Sequence, residues 1–217
     1  VRKDAFENLY QTYKQFLNTS ASLYCGNVKQ QVFHAKARKY VSSLECAVDA
    51  NNVSSSVYHN LIDTVNKNLD KMHQYVSLRK KCLGVGELHM YDIYTPMIAD
   101  VAKKISFEEA KETVLKALAP LGEDYVNKVK EGFENRWIDV YENQGKRSGA
   151  YSAGAYGCHP YVLLNYNGTL DDMFTLAHEM GHAMHSNYSN EAQPYIYAGY
   201  KIFVAEVAST CNEILLM

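Results

Sequence analysis

The chain has 217 residues, with 22 Lys and Arg against 24 Asp and Glu for a formal net charge of −2. That length can bury one sizeable core or two joined ones, and the near-neutral charge offers no broad basic surface for nucleic acid or an anionic membrane. No apolar run reaches the ~18 residues of a bilayer span, and the opening VRKDAFENLY lacks the blocks of a signal peptide.

The first 95 residues contain no proline and read as helix. Phe6, Leu9, Tyr10, Tyr13, Phe16 and Leu17 recur every three or four positions, which predicts one buried helical face. A second helix is expected after the serines at 54–56. Its stripe is Val57, Leu61, Ile62, Val65, Leu69, Met72 and Val76, and RKKCLG closes it with cations and Gly84 as the cap. Ser106 and Glu109 form a capping box for a helix that Pro120 stops near residue 118. Another is predicted from Glu123 through Trp137 to about Tyr141.

The texture changes at 144, so the chain divides into a helical region, 1–143, and a region 144–217. In the latter a glycine-rich segment feeds one or two strands ahead of further helices. The apolar run Tyr161 to Leu164 is the clearest strand. Helix resumes at Thr169, whose TLDD carries a capping signature with Asp172. The fold class expected is mainly α with a small β-sheet.

In TLAHEMGHAMHS, His178 and His182 lie four residues apart, one above the other on a single helix face. Two imidazoles so placed can ligate one zinc ion at ~2.0–2.1 Å. Glu179 sits beside the first and can take a proton from a water at the site, the HExxH arrangement. With 8 His and 14 Glu placed independently, the pattern would arise about 0.02 times in this length. Gly181 in mid-helix costs about 1 kcal/mol relative to alanine, which implies a close-packed neighbour. The alternative is a structural helix rich in histidine.

A hydrolytic zinc needs a third protein ligand and an open position. From Tyr200 to Met217, the residues Phe203, Val204, Val207, Ala208, Cys211 and Ile214 form one apolar face, expected to be buried. Glu206 and Glu213, seven residues apart, share another. Glu206 is the better third ligand, with Glu213 orienting a ligating imidazole; a solvated acidic face is the alternative. His185 competes with Glu206, but three ligands within two turns of one helix fit a tetrahedral centre poorly, which leaves it packing or touching substrate.

FTLAHEMGHAMHS followed by YKIFVAEVASTCNEILL resembles the M3 zinc metallopeptidases, most closely the oligoendopeptidase F group. FHAKARKYVSSLE, GVGELHMYDIYTPM, PLGEDY, RWIDVYENQGKRSGAYSAGAYG and PYVLLNYNGTLDDMFTLAHE extend the resemblance over essentially the whole chain. It implies a zincin-like core within a larger helical, channel-forming enzyme. That enzyme would be a zinc-dependent endopeptidase cutting short oligopeptides in the cytoplasm, with one zinc per chain. His178, His182 and Glu206 would be the ligands, Glu179 the general base and Glu213 the carboxylate behind a ligand. The family's oxyanion donors, a tyrosine and histidine set, lie well after the HExxH helix, and its members are much longer. The apolar ending CNEILLM has no helix stop. The chain is therefore expected to be a central piece of a longer polypeptide, inactive or weakly active alone.

Within the chain Tyr151, Tyr156 and His159 are candidate oxyanion donors, with packing as the other role open to them. A strand edge near Ala153 to Gly157 could pair with an extended peptide, so Gly154, Ala155, Tyr156, Gly157 and His159 are the candidate substrate residues. His89, Tyr91 and Asp92 could line a channel or serve packing alone. Cys25, Cys46, Cys82, Cys158 and Cys211 are odd in number and never in CxxC spacing, which fits a reducing compartment. Two rival readings stay open. One is an HExxH exopeptidase, which would need a dedicated terminus pocket. The other is a helical peptide-binding protein with a structural zinc, for which Cys158 or Cys211 could supply a fourth ligand.

Overall fold

A computed structural model describes residues 1–98 and 103–217. The chain divides into two compact units, Val1–Val101 and Ala102–Met217. The first is a succession of helices: α1 (Arg2–Gln15), α2 (Leu17–Ala37), α3 (Ser43–Asp49), α4 (Ser55–Lys67) and α5 (Leu69–Leu83). Two of the long predicted runs are interrupted. Phe16 leaves helical geometry at φ −103° and ψ 16°, splitting α1 from α2. Asn68 does the same at φ −110° and ψ 10°, and its side-chain amide turns back to donate to the Thr64 carbonyl at 2.8 Å. That local bond competes with helix continuation, the usual effect of asparagine. Gly84 closes α5 in the left-handed conformation, φ 64°.

The expected burial of the α1 and α4 stripes is corrected. Leu9, Tyr13 and Phe16, and with them Leu61 and Met72, are exposed, because α1–α5 contact mainly their chain neighbours. Among the described residues of this unit only Ala35, Arg79 and Asp92 are buried. Asp92 is held by the Arg2 guanidinium at 2.9 Å and accepts from the His89 backbone amide, while His89 stacks on Tyr91. His89, Tyr91 and Asp92 thus build a local cap, with Arg2 bound to it.

The second unit carries α6 (Phe107–Ala117), α7 (Glu123–Glu134), β1 (Ile138–Asp139), β2 (Tyr151–Ala153), β3 (Tyr161–Leu163), α8 (Leu170–Ala192) and α9 (Ile202–Leu216). Its sheet has the order β1-β3-β2, with β1 parallel and β2 antiparallel to β3. The domain boundary expected at 143/144 falls inside this unit. The physical reason is the core itself: Val114 of α6, Leu118 at its C-terminal cap, Val129 of α7, and Trp137 pack with Val162, Leu176, Met180 and Met184. Helices α6 and α7 bury the apolar surface of α8, so they cannot belong to a separate body.

The helix predicted to run on to Tyr141 ends at Glu134. Arg136 turns the chain at φ 63°, and Trp137 folds back over α7. A Cβ on Gly132 would lie 2.8 Å from the Trp137 ring, so only glycine there lets the indole settle on the helix. The Trp137 carbonyl then accepts from the Val162 amide at 2.7 Å and the chain enters the sheet.

Helix α8 opens with a capping box: Thr169 Oγ1 accepts from the Asp172 amide at 3.1 Å, and Asp172 Oδ2 from the Thr169 amide at 2.8 Å. It runs 23 residues and is buried on several faces. Helix α9 departs from expectation. Phe203, Val207, Cys211 and Ile214 point outward and are exposed, while Ala205, Ser209 and Asn212 are buried. Small residues face α8 because the two helices approach too closely for large ones. Beside Gly181, a Cβ would meet Ser209 Cα at 2.6 Å and the Ala208 carbonyl oxygen at 2.8 Å.

Candidate metal centre

Helix period sets the imidazoles of His178 and His182 on one face of α8, and their Nε2 atoms are 3.1 Å apart. The close α8–α9 packing at Gly181 delivers Glu206 from the facing helix. Its Oε2 lies 3.4 Å from His178 Nε2 and 3.3 Å from His182 Nε2. A tetrahedral ion with bonds of ~2.0–2.2 Å needs ligand atoms about 3.3–3.6 Å apart. Three donors of types that suit zinc therefore stand at close to the separation such an ion requires, and they form a metal-capable group among the described residues.

Glu213, two turns along α9, meets Nδ1 of the His178 ring with a carboxylate oxygen. A proton shared there leaves the lone pair of Nε2 facing Glu206 and His182. Asn212 fixes the register of this helix. It is 1 % exposed, donates to the Ala177 carbonyl at 3.0 Å and accepts from the Tyr125 hydroxyl at 3.0 Å. One amide thus ties α9 to the turn that carries His178 and to α7. Burial pushes the Tyr125 hydroxyl up to about 12.

Glu179 is not one of the donor cluster. It is 7 % exposed, and its Oε2 finds no hydrogen-bond partner in the structure. Burial raises its pKa, and the Glu206 carboxylate adds to this. The His178 imidazole and the Ser152 backbone amide act the other way. Burial likewise lowers the pKa of His182, against the opposing pull of Glu206. A cavity of about 350 Å³ opens beside the cluster, lined by Ala150, Phe174, Thr175, His178, Glu179 and Glu213 among others. A buried carboxylate oxygen without a partner is costly, and this one belongs to a residue on the wall of a cavity that His178 and Glu213 also line.

The remaining candidates are arranged differently. His185 stacks on Tyr200, ring centroids 3.7 Å apart, outside the donor cluster. Neither Cys158 nor Cys211, both exposed, belongs to the cluster. Gly154, Ala155, Tyr156, Gly157 and His159 lie beyond the end of β2, in a turn where the Cys158 amide donates to the Ala155 carbonyl. The Tyr156 hydroxyl donates to the Gln193 carbonyl at 3.0 Å and its ring packs on Tyr195; His159 lies flat on Trp137. These residues border clefts other than the one holding His178 and Glu179. Tyr151 is in β2, which runs beside α8 at the edge of the sheet. Reasoning from sequence missed Ser209, Asn212 and Ser152. The first had a legible signal, since a serine three residues after a candidate ligand glutamate can reach back to it on a helix.

Comparison with known proteins gives first the class, a family of peptidases. The chain belongs to peptidase family M3, whose model matches residues 1–217. It is 53% identical over 216 residues to Oligopeptidase PepF of Bacillus subtilis and 48% identical over 216 residues to the chromosomal oligoendopeptidase F of Lactococcus lactis subsp. cremoris. In both cases the whole chain is covered, together with 32% and 36% of the relative. The crystal structure of oligoendopeptidase-F from Enterococcus faecium superposes with a TM-score of 0.64 at 36% identity, over 99% of this chain and 30% of that one. The chain therefore spans about a third of the length of the relatives it matches.

Proposed function

We propose that this chain carries the zinc centre and general base of an endopeptidase that hydrolyses short oligopeptides. The observation that supports this most is the set of separations, 3.1, 3.3 and 3.4 Å, between Nε2 of His178, Nε2 of His182 and Oε2 of Glu206, with the buried Glu179 alongside. His178, His182 and Glu206 hold the ion, and Glu213 fixes the His178 ring in the tautomer that ligates. A zinc ion bound there would supply Lewis acidity toward a scissile carbonyl and an attacking water. Glu179 takes the proton from that water and passes it to the leaving amine. Its carboxylate is free for this because it is not among the ligating atoms.

Substrate alignment is assigned to β2 rather than to the turn that follows it. Tyr151 to Ala153 pair with β3 along one side only, so an extended peptide could bond to the other through its main chain. Recognition by backbone is indifferent to side-chain identity and suits broad peptide specificity. The relatives named for oligopeptides fit this reading. All five cysteines are free, which accords with a cytoplasmic setting, and no helix among the described residues is long and apolar enough to cross a membrane.

Glu206→Ala tests the metal assignment. Two imidazoles alone hold zinc far more weakly than three ligands, so zinc bound per full-length chain should fall from about one to near zero at micromolar free metal. Atomic absorption after gel filtration measures it. Undiminished stoichiometry would hand the third place to another group such as His185.

A further inference from the structure

We infer that Ser209 is a positioning residue for the metal centre: its hydroxyl holds the Glu206 carboxylate in the ligating orientation before any ion arrives. The inference rests on the metal reading above. Ser209 is 0 % exposed, in the notch that Gly181 leaves between α8 and α9. Its Oγ donates at 3.0 Å to Glu206 Oε2, the same oxygen that lies 3.4 and 3.3 Å from the two imidazole nitrogens. The same hydroxyl lies 3.1 Å from the Glu206 main-chain carbonyl, so its single proton is shared between that carbonyl and the carboxylate of the same residue, one turn back along α9.

Glu206 needs such a tether. Its side chain is 52% exposed, and among the described residues salt bridges link it only to His178 and His182, which cannot both be charged beside a cation. A free glutamate of that exposure samples many rotamers and must be ordered when the ion binds. A carboxylate oxygen has two lone-pair directions. Ser209 occupies one, leaving the other for the metal. Because the serine is buried against backbone, it moves only if the two helices separate.

The test is zinc affinity of the full-length protein, measured by chelator competition, with unfolding midpoints of the metal-free forms alongside. Three variants are compared: S209A, H182A, and L215A as a packing control on the same helix. Partners behind metal ligands typically contribute 10–100-fold in affinity. S209A should therefore bind zinc at least about tenfold more weakly, with a metal-free midpoint no lower than that of L215A. H182A should abolish binding. If H182A does so while S209A binds like wild type, the positioning role is overturned and the metal centre stands. If L215A weakens zinc as much as S209A, the effect is general packing and the inference is again overturned. If H182A keeps its zinc, the metal reading fails and takes this inference with it.

Discussion

Gly181→Ala is expected to lower both the stability of the fold and its hold on zinc, against what helix propensity alone would give. Alanine in place of a mid-helix glycine ordinarily gains about 1 kcal/mol. Here the added Cβ would sit 2.6 Å from Ser209 Cα, 2.8 Å from the Ala208 carbonyl oxygen and 3.0 Å from its carbon. All three are backbone atoms, so no side chain can swing aside, and helix α9 must move as a body. Overpacking of this kind costs about 1–3 kcal/mol and sometimes more, enough to outweigh the propensity gain. The displacement also carries Glu206 and Glu213 away from the imidazoles they face, since both ride on α9. A fall in the unfolding midpoint, joined by zinc binding at least tenfold weaker, is the expected pair of results for the full-length protein. A stabilised variant with unaltered zinc affinity would mean that the helices tolerate separation and that the notch does not set the site.

That notch illustrates which parts of the molecule were legible beforehand. A glycine inside HExxH announces a close neighbour, and the four-residue spacing of His178 and His182 follows from helix geometry without any tertiary knowledge. The capping box at Thr169 and the left-handed Gly84 are equally local, and both stand where the sequence puts them; at Ser106 only half of the expected box forms, since its hydroxyl accepts from the Glu109 amide while the Glu109 carboxylate pairs with Lys103. The apolar stripe of α9 misleads because periodicity shows that a helix has two faces, not which one meets a neighbour. Close approach to α8 selects Ala205, Ser209 and Asn212 for the inside, and the bulky set is left outside. The end of α7 was hidden for a related reason. Nothing near Asn135 is a strong helix stop, and the turn at Arg136 is fixed by Trp137 settling on Gly132. The contacts behind the site, Ser209 to Glu206 and Asn212 to Ala177, depend on the same inter-helix fit and emerge only with it.

Replacing Glu179 should separate chemistry from metal binding more sharply than any other single change. Glu179→Ala removes a carboxylate outside the donor triad, so zinc should remain at about one per chain while peptide hydrolysis by the full-length protein falls at least 10²–10⁴-fold, the usual worth of a positioned base. KM should change little, because the carboxylate handles a proton rather than the peptide. Stability supplies an independent check. One oxygen of Glu179 is buried with no hydrogen-bond partner, so the native state bears a desolvation cost that alanine does not. The variant's metal-free form should unfold at an equal or higher temperature than wild type, the pattern expected where a residue is kept for activity at the expense of stability. Glu179→Gln, which preserves shape and loses only the basic oxygen, should be as inactive as the alanine form. A zinc-loaded Gln variant that still cleaved peptides at the wild-type rate would falsify the assignment of proton transfer to this side chain. The unpaired oxygen would then need a structural explanation, and an equal or higher unfolding temperature in both variants would argue against that too, since a carboxylate that supported the fold could not be removed without loss.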